Sequence, residues 1–131
     1  MAAKPLVAIV DDDNSIRTGA RDLLKAAGFS TATFEDAESF LASASRASVA
    51  CLVADMRMPG MTGLELYEAL VASGDRIPTV LITAHPDEVT QSRAREVGIS
   101  CYLSKPFAPD DLLGCVREAL AKSQARAIPK S

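Results

Sequence analysis

Short segments rich in apolar and β-branched residues recur along the chain, and each is followed by polar or turn-forming residues and then by apolar residues at helical spacing. Uninterrupted apolar runs of this length are typical of strands that are buried on both faces of a parallel sheet. Five segments are predicted to be strands. They are Leu6–Val10, Ser30–Phe34, Cys51–Asp55, Thr79–Thr83 and Cys101–Ser104.

Helical periodicity follows each predicted strand. After the first strand, Asp13 or Asn14 is the expected N-cap, and apolar residues recur at helical spacing until Gly28. Gly74 and Gly98 are predicted to end the third and fourth helices, because glycine favours the left-handed conformation found after a helix. The second helix is short, and the Ser- and Ala-rich stretch that runs from it to Ser48 is predicted to be a loop.

Two prolines shape the later turns. Pro86 is predicted to occupy the first turn of the fourth helix, where its missing N–H costs no hydrogen bond. Lys105-Pro106-Phe107 turns the chain from the fifth strand into the last helix. Pro86 also stiffens the loop that follows Thr83.

Five strands that alternate with five helices predict an α/β fold with a doubly wound, five-stranded parallel sheet. The flavodoxin-like (βα)5 arrangement, with strand order 2-1-3-4-5, is the expected topology. The 131 residues, of which 48% are hydrophobic, suffice for one core. We therefore predict one domain over residues 1–121 and a C-terminal tail or linker stump over residues 122–131.

Composition excludes several classes of function. A net charge of −3 argues against direct nucleic-acid binding, which usually needs a basic surface. The three cysteines, Cys51, Cys101 and Cys115, form no closely spaced zinc-ligand pair, and we expect reduced, mostly buried thiols. Neither a signal peptide nor a membrane span is expected, so the cytoplasm is the predicted location.

Polar side chains lie at the carboxyl ends of four strands that are neighbours in the predicted sheet. They are Asp11 and Asp12, Asp55, Thr83 and Lys105. Three carboxylates in one crevice repel one another, so a cation is expected to offset their charge. Carboxylate and carbonyl oxygens suit Mg²⁺, and the lysine adds a point charge suited to phosphate.

With these residues in place, the chain closely resembles the receiver domain of bacterial two-component response regulators over residues 5 to about 121. The motifs that carry the resemblance are Asp11-Asp12, Asp55, the turn at residues 58–63, Thr83-Ala84 and the stretch at residues 102–107. Together these motifs are highly specific.

The resemblance implies that Asp55 accepts a phosphoryl group from a sensor histidine kinase. It implies that Asp11 and Asp12 hold Mg²⁺ directly or through water, together with Asp55 and the backbone carbonyl of Arg57. Such a chain acts on itself alone and is not a classical enzyme. Its expected partners are the kinase, an output domain or downstream effector protein, and a second copy of the chain in a phosphorylation-dependent homodimer.

The resemblance also assigns Thr83, Ala84 and Lys105 to the phosphoryl oxygens. It makes Tyr102 the aromatic side chain whose rotamer reports phosphorylation, and the surface of helix four, strand five and helix five the partner face. The Lys105–Pro106 peptide bond becomes a candidate for the cis isomer. His85 and Arg57 fall at variable positions beside the phosphorylation site, where they can tune access to it.

Two alternative functions are weighed against a phosphorelay role. A Mg²⁺-dependent phosphohydrolase with an aspartyl nucleophile would carry a second acid two residues after the first, but Arg57 stands there. A receiver-like binding module that is never phosphorylated would be expected to lose an acid, Thr83 or Lys105, and none is lost. The chain contains no helix-turn-helix pattern, so it is either a stand-alone receiver or part of a longer regulator.

Overall fold

The computed structural model describes the backbone of residues 4–127 and the side chains of residues 4–121. Strands and helices alternate along the chain. The strands are β1 (Leu6–Val10), β2 (Ser30–Phe34), β3 (Cys51–Asp55), β4 (Thr79–Thr83) and β5 (Cys101–Ser104). The helices are α1 (Asn14–Ala26), α2 (Ala37–Leu41), α3 (Gly63–Ala72), α4 (Glu88–Val97) and α5 (Pro109–Ala127).

All five strands pair in parallel in the order β2-β1-β3-β4-β5, which confirms the predicted topology. The register aligns the strand ends: Val10 lies opposite Ala54, and Asp55 lies opposite Ile82. Residues that immediately follow β1, β3, β4 and β5 therefore meet along one edge of the sheet. The order of the strands changes direction beside β1, so this edge is where a crevice forms.

The two faces of the sheet bury separate apolar clusters, because successive side chains of a strand point to opposite faces. Val10, Leu52 and Leu81 pack with Phe40 and Leu66 in the first, which we call the α3-side cluster. The second, the α5-side cluster, packs strand residues against α1 and α5; it includes Ile9, Val53, Ile82, Leu24, Leu112 and Val116. Each fully buried Leu, Ile or Phe contributes about 1.5–3 kcal/mol relative to an exposed side chain, so both clusters hold the strand ends in place.

Side-chain caps fix where the helices begin. The Asp13 carboxylate accepts hydrogen bonds from the backbone N–H groups of Ser15 and Ile16, so Asp13 is the N-cap of α1, as predicted. Thr62 and Glu65 form a reciprocal capping box at the start of α3. These caps end the loops that follow β1 and β3, and they limit the conformations that those loops can adopt.

Two local predictions are wrong. The stretch up to Ser48 is not all loop, because it contains a 3₁₀-helix, Ala44–Ser48, whose N-cap Ser43 accepts a hydrogen bond from the N–H of Ser45. Pro86 lies before α4 and not in its first turn. The reason is that the Asp87 carboxylate caps the helix by accepting a 2.8 Å hydrogen bond from Thr90, and α4 then begins at the next residue.

The last helix is longer than the sequence pattern indicated. α5 extends to Ala127, and residues 128–131 lie outside the described part of the chain. The division into a domain at 1–121 and a tail at 122–131 therefore stays a prediction. Within the described residues, none of the helices has the length and apolar character needed to span a membrane.

The cysteines depart from expectation. Cys101 in β5 and Cys115 in α5 are joined in a disulfide, with their Cα atoms 5.8 Å apart, so the prediction of reduced thiols is wrong for this pair. Both residues belong to the α5-side cluster, where α5 packs across β5. Cys51 is a buried free thiol, as expected, and burial raises its pKa to about 12.

Candidate functional site

Three carboxylates meet at the carboxyl edge of the sheet. Asp11 directly follows β1, Asp12 comes next, and Asp55 is the last residue of the neighbouring β3. One carboxylate oxygen from each of the three lies within 4.8 Å of the others. Asp11 and Asp55 are buried, with 3% and 6% of their surface exposed, whereas Asp12 is open to solvent. The structure thus brings together the three acids that the sequence singled out.

Lys105 reaches this cluster from β5, two strands away from β3. Its ammonium nitrogen lies 3.3 Å from Oδ1 of Asp55 and 3.6 Å from Oδ2 of Asp11. The backbone N–H of Lys105 donates a 2.7 Å hydrogen bond to the carbonyl of Thr83, which ties the residue to the end of β4. The following Lys105–Pro106 peptide bond is cis. One ammonium group therefore faces two buried carboxylates.

Burial raises the pKa of Asp55, and the neighbouring Lys105 opposes that rise. The pKa of Asp11 is also raised, first by burial and then by the charges of Asp55 and Asp12, against the hydrogen bond from the Asp13 N–H and the charge of Lys105. A raised pKa means that the ionised form of a carboxyl group is disfavoured in the fold. The cluster carries more negative charge than Lys105 alone neutralises.

The donor set of this cluster fits a hard divalent cation. Three carboxylates supply only oxygen ligands at close range, and the exposed Asp12 leaves room for metal-bound water. Mg²⁺ favours this combination of one or two carboxylates with several waters. The pKa values of Asp11 and Asp55 are raised, so their ionised forms are disfavoured without a cation. A bound cation would favour those ionised forms, which also supports a metal site here.

A cleft of about 580 Å³ opens beside the acids. Its lining includes Asp12, Arg57, Thr83, His85 and Tyr102. Thr83, the last residue of β4, is buried, and its hydroxyl accepts a 3.1 Å hydrogen bond from the His85 N–H. The next residue, Ala84, is exposed just after the end of β4.

Tyr102 is half-buried and packs against the α3-side cluster. Its hydroxyl oxygen is buried and has no hydrogen-bond partner among the described residues. A buried hydroxyl without a partner costs free energy, so this side chain is not held in place by its polar end. Tyr102 lies beside the cleft that contains Thr83.

Two further residues shape the site: Arg17, which no sequence pattern indicated, and Gly63, which the sequence patterns gave only as part of the turn at residues 58–63. One terminal nitrogen of Arg17 donates a 2.7 Å hydrogen bond to the Asp11 carbonyl, and the other donates a 2.9 Å hydrogen bond to the Asn14 side chain. At Gly63, a Cβ atom would lie 2.5 Å from the Asp55 carbonyl oxygen, so only glycine lets α3 begin this close to the acid. A basic residue one turn into α1 and a glycine at the first position of α3 were the available signals.

Comparison with known proteins gives a consistent family. The family model for the response regulator receiver domain matches residues 7–117. The chain is 33% identical over 127 residues to the transcriptional regulatory protein FixJ of Bradyrhizobium diazoefficiens, covering 97% of this chain and 62% of FixJ. It is 35% identical over 115 residues to the response regulator protein TodT of Pseudomonas putida, covering 88% of this chain and 51% of TodT. The chain therefore spans about half to three fifths of these relatives.

Solved structures agree with this match. The response regulator StyR superposes with a TM-score of 0.87 at 47% identity, covering 95% of this chain and 63% of that chain. The N-terminal part of FixJ superposes with a TM-score of 0.81 at 31% identity, covering 92% of this chain and 96% of that one. Fold, site and relatives together show that this chain belongs to the receiver domains of two-component response regulators.

Proposed function

We propose that the chain is a phosphoacceptor in a two-component phosphorelay and that Asp55 takes a phosphoryl group from a histidine kinase. The observation that carries this proposal is that Asp55, the last residue of β3, is the carboxylate nearest to the Lys105 ammonium group, at 3.3 Å, in a cluster with Asp11 and Asp12 beside an open cleft. The attacking group needs no general base, because a carboxylate ionised at neutral pH is already a nucleophile.

The transfer requires one bond to form and one to break. An oxygen of Asp55 attacks the phosphorus atom, and the bond between phosphorus and the kinase imidazole nitrogen breaks, so the electron pair leaves with the imidazole. Transfer of this kind depends chiefly on positioning and on neutralising the charge of the equatorial oxygens. Lys105 supplies a positive charge beside the nucleophile and binds a phosphoryl oxygen.

Asp11, Asp12, Asp55 and the backbone carbonyl of Arg57 would hold the Mg²⁺ ion. When bound, the ion supplies charge neutralisation for the anionic phosphoryl group. Asp11 and Asp12 differ in their exposure. Asp11 is buried and fixed by the Asp13 N–H at 2.8 Å, whereas Asp12 faces the cleft.

Thr83 and Tyr102 would move in response to the new phosphoryl group. The Thr83 hydroxyl accepts a hydrogen bond from His85, so its own proton is directed elsewhere and can be donated to a phosphoryl oxygen. The Ala84 N–H would contribute a second donor. Movement of Thr83 toward Asp55 would vacate space that the Tyr102 ring can enter, and the surface of α4, β5 and α5 would change with it.

The partners follow from this role. A sensor histidine kinase donates the phosphoryl group, and an output domain or a downstream effector protein reads the changed surface. A homodimer formed after phosphorylation would use the same surface. The chain promotes only its own phosphorylation and dephosphorylation, and its output is regulatory.

Acetyl phosphate with Mg²⁺ separates this proposal from its alternatives. Intact-mass spectrometry should show one phosphoryl adduct that forms with Mg²⁺, does not form in EDTA, and is absent in Asp55→Asn. Sustained release of phosphate without an adduct would instead indicate a phosphohydrolase. No adduct and no release would indicate a receiver-like binding module.

A further inference from the structure

The Cys101–Cys115 pair lies apart from the Asp55 chemistry. Cys101 is the first residue of β5, and Lys105 follows the end of that strand. At about 3.3 Å per residue, the strand separates Cys101 from Lys105 by roughly 13 Å. The side chain of Cys101 packs on the α5-side cluster, whereas that of its neighbour Tyr102 packs on the α3-side cluster. The pair and Tyr102 therefore occupy opposite faces of the same strand.

The fold does not depend on this bond. β5 is already paired with β4 along its whole length, and α5 is anchored by the buried side chains of Leu112, Val116 and Ala119. Domains that need disulfides are usually small chains with too little core, which does not describe two apolar clusters on a five-stranded sheet. A bond that joins two elements already packed together can open without unfolding the domain.

We propose that Cys101 and Cys115 form a reversible dithiol–disulfide site, oxidised by hydroperoxides, that ties β5 to α5. Their Cα separation of 5.8 Å lies in the ordinary range for a disulfide. Cys101 is half-buried and Cys115 is only 9% exposed, so Cys101 is the thiol that meets the oxidant. Cys51 lies inside β3 and is fully buried, and it takes no part.

The chemistry balances with a hydroperoxide as the only co-reactant. The Cys101 thiolate attacks one oxygen of hydrogen peroxide, the O–O bond breaks, and hydroxide leaves to give a sulfenic acid. The Cys115 sulfur then displaces hydroxide from that sulfenic acid, and the S–S bond forms. The two thiols lose two electrons and two protons, and the peroxide is reduced to two molecules of water. A thiol reductant reverses the bond by exchange.

The consequence concerns the partner face. β5 and α5 are two of the three elements of that face, so the disulfide limits their relative motion without entering the cleft at Asp55. This last step rests on the proposed function. Oxidation is therefore expected to leave phosphorylation of Asp55 intact and to restrain the change that follows it.

The test starts from the full chain, reduced and then freed of reductant. After treatment with hydrogen peroxide, intact mass should show loss of two hydrogen atoms. Alkylation of the denatured chain should then modify one thiol, and digestion should give one cross-linked peptide pair, Cys101 with Cys115. Cys51→Ala should form the same bond, and Cys101→Ser and Cys115→Ser should not. Three alkylatable thiols after peroxide, a bond that includes Cys51, or sulfinic acid as the main product would overturn the proposal.

Two further readouts test what the bond does. The oxidised form should unfold at a temperature about 5–10 °C higher than the reduced form, because the bond closes a loop of 14 residues. Amide exchange in β5 and α5 should slow on oxidation. Equal exchange in both forms would contradict the proposal that the disulfide restrains these two elements. Acetyl phosphate should label both forms equally; failure of labelling in both would refute the phosphoacceptor role and leave the dithiol site standing.

Discussion

Arg17 holds the acidic loop by two hydrogen bonds from one guanidinium group, to the Asp11 carbonyl and to Asn14. Asp12 lies between these two anchored residues. We therefore expect Arg17→Lys, which keeps the charge but not the paired contacts, to weaken Mg²⁺ binding by roughly tenfold, as loss of an outer-shell partner commonly does. Isothermal titration of the metal measures this effect.

The control variant is Arg21→Ala, one turn further along α1, where the side chain forms an ion pair with the adjacent Asp22. It should leave Mg²⁺ affinity unchanged. Arg17→Ala distinguishes positioning from charge, because removal of a cation beside three acids would by itself strengthen metal binding. Tighter binding in Arg17→Ala would show that Arg17 acts through its charge and not through the loop.

The buried acids predict an unusual dependence of stability on pH. The pKa values of Asp11 and Asp55 are raised in the fold, by burial first, above their ordinary value of 3.8. The folded state therefore holds these protons more tightly than the unfolded state does. The stability contributed by each group is fully present below its unfolded pKa and is lost as the pH rises through its folded pKa.

In EDTA, Asp11→Asn should therefore unfold at a higher denaturant concentration than the wild type at neutral pH, and the difference should shrink toward pH 4. Mg²⁺ should remove the advantage, because it favours the ionised acids. Asp13→Asn is the matched control: it changes an acid in the same loop that lies outside the cluster and keeps an N-cap oxygen. An equal gain in Asp13→Asn would show that general charge reduction, and not the buried cluster, is responsible.

The residues of the acidic cluster could be found from sequence because apolar runs mark the strands, and parallel strands end at one edge. Arg17 could not be found this way, since its role depends on the rotamer of a long side chain that reaches back to a backbone carbonyl. The Cys101–Cys115 contact depends on the rotation of α5 over β5, which helical spacing alone does not fix. The odd number of cysteines in the sequence gave no indication that two of them form a disulfide.

At the scale of elements, the start of α3 determines the position of Asp55. A Cβ atom at Gly63 would lie 2.5 Å from the Asp55 carbonyl oxygen and 2.8 Å from Cδ2 of Leu81, both of which are buried. Gly63→Ala should therefore displace either the helix or the end of β3. We expect the free energy of unfolding to fall by about 1–3 kcal/mol, the usual cost of overpacking.

Gly19→Ala is the matched control, because nothing lies within 4 Å of its Cβ position in the middle of α1. That variant should be more stable than the wild type by about 0.5–1 kcal/mol, owing to the helix propensity of alanine. Urea denaturation tests whether Gly63→Ala lowers, and Gly19→Ala raises, the free energy of unfolding. A Gly63→Ala protein as stable as Gly19→Ala would mean that α3 does not restrain Asp55.

The sequence predicted whether a segment is a strand or a helix more accurately than it predicted where that segment begins and ends. The predicted strands coincide with the observed ones. β1, β3 and β4 are buried along almost their whole length, whereas the edge strands β2 and β5 are mainly half-buried and were marked by their short length between predicted helices. The start of α4 was misplaced because two adjacent residues, Pro86 and Asp87, both suit a helix start, and the Asp87 carboxylate captured the Thr90 N–H. Several neighbouring side chains can serve as the N-cap of a helix. The pattern of apolar residues does not indicate which of them does so.

At the scale of the whole molecule, phosphorylation should act as a two-state switch. Charge-assisted hydrogen bonds from Thr83 and Lys105 to a phosphoryl oxygen, at about 1.5–3 kcal/mol each, would shift the population by one to several decades. Beryllofluoride, a mimic of the phosphoryl group, should change amide chemical shifts at Tyr102 and along α4 and β5 as well as in the cleft. Shifts confined to the surroundings of Asp55 would contradict the coupling.

The central claim is that Asp55, and neither of the other two acids in the cluster, accepts the phosphoryl group. The most direct measurement is to phosphorylate the chain with acetyl phosphate and Mg²⁺, reduce the acyl phosphate with borohydride, and map the modified residue by peptide sequencing. We expect the label on Asp55 alone and none on Asp55→Asn. Label on Asp11 or Asp12, or undiminished label in Asp55→Asn, would contradict this claim.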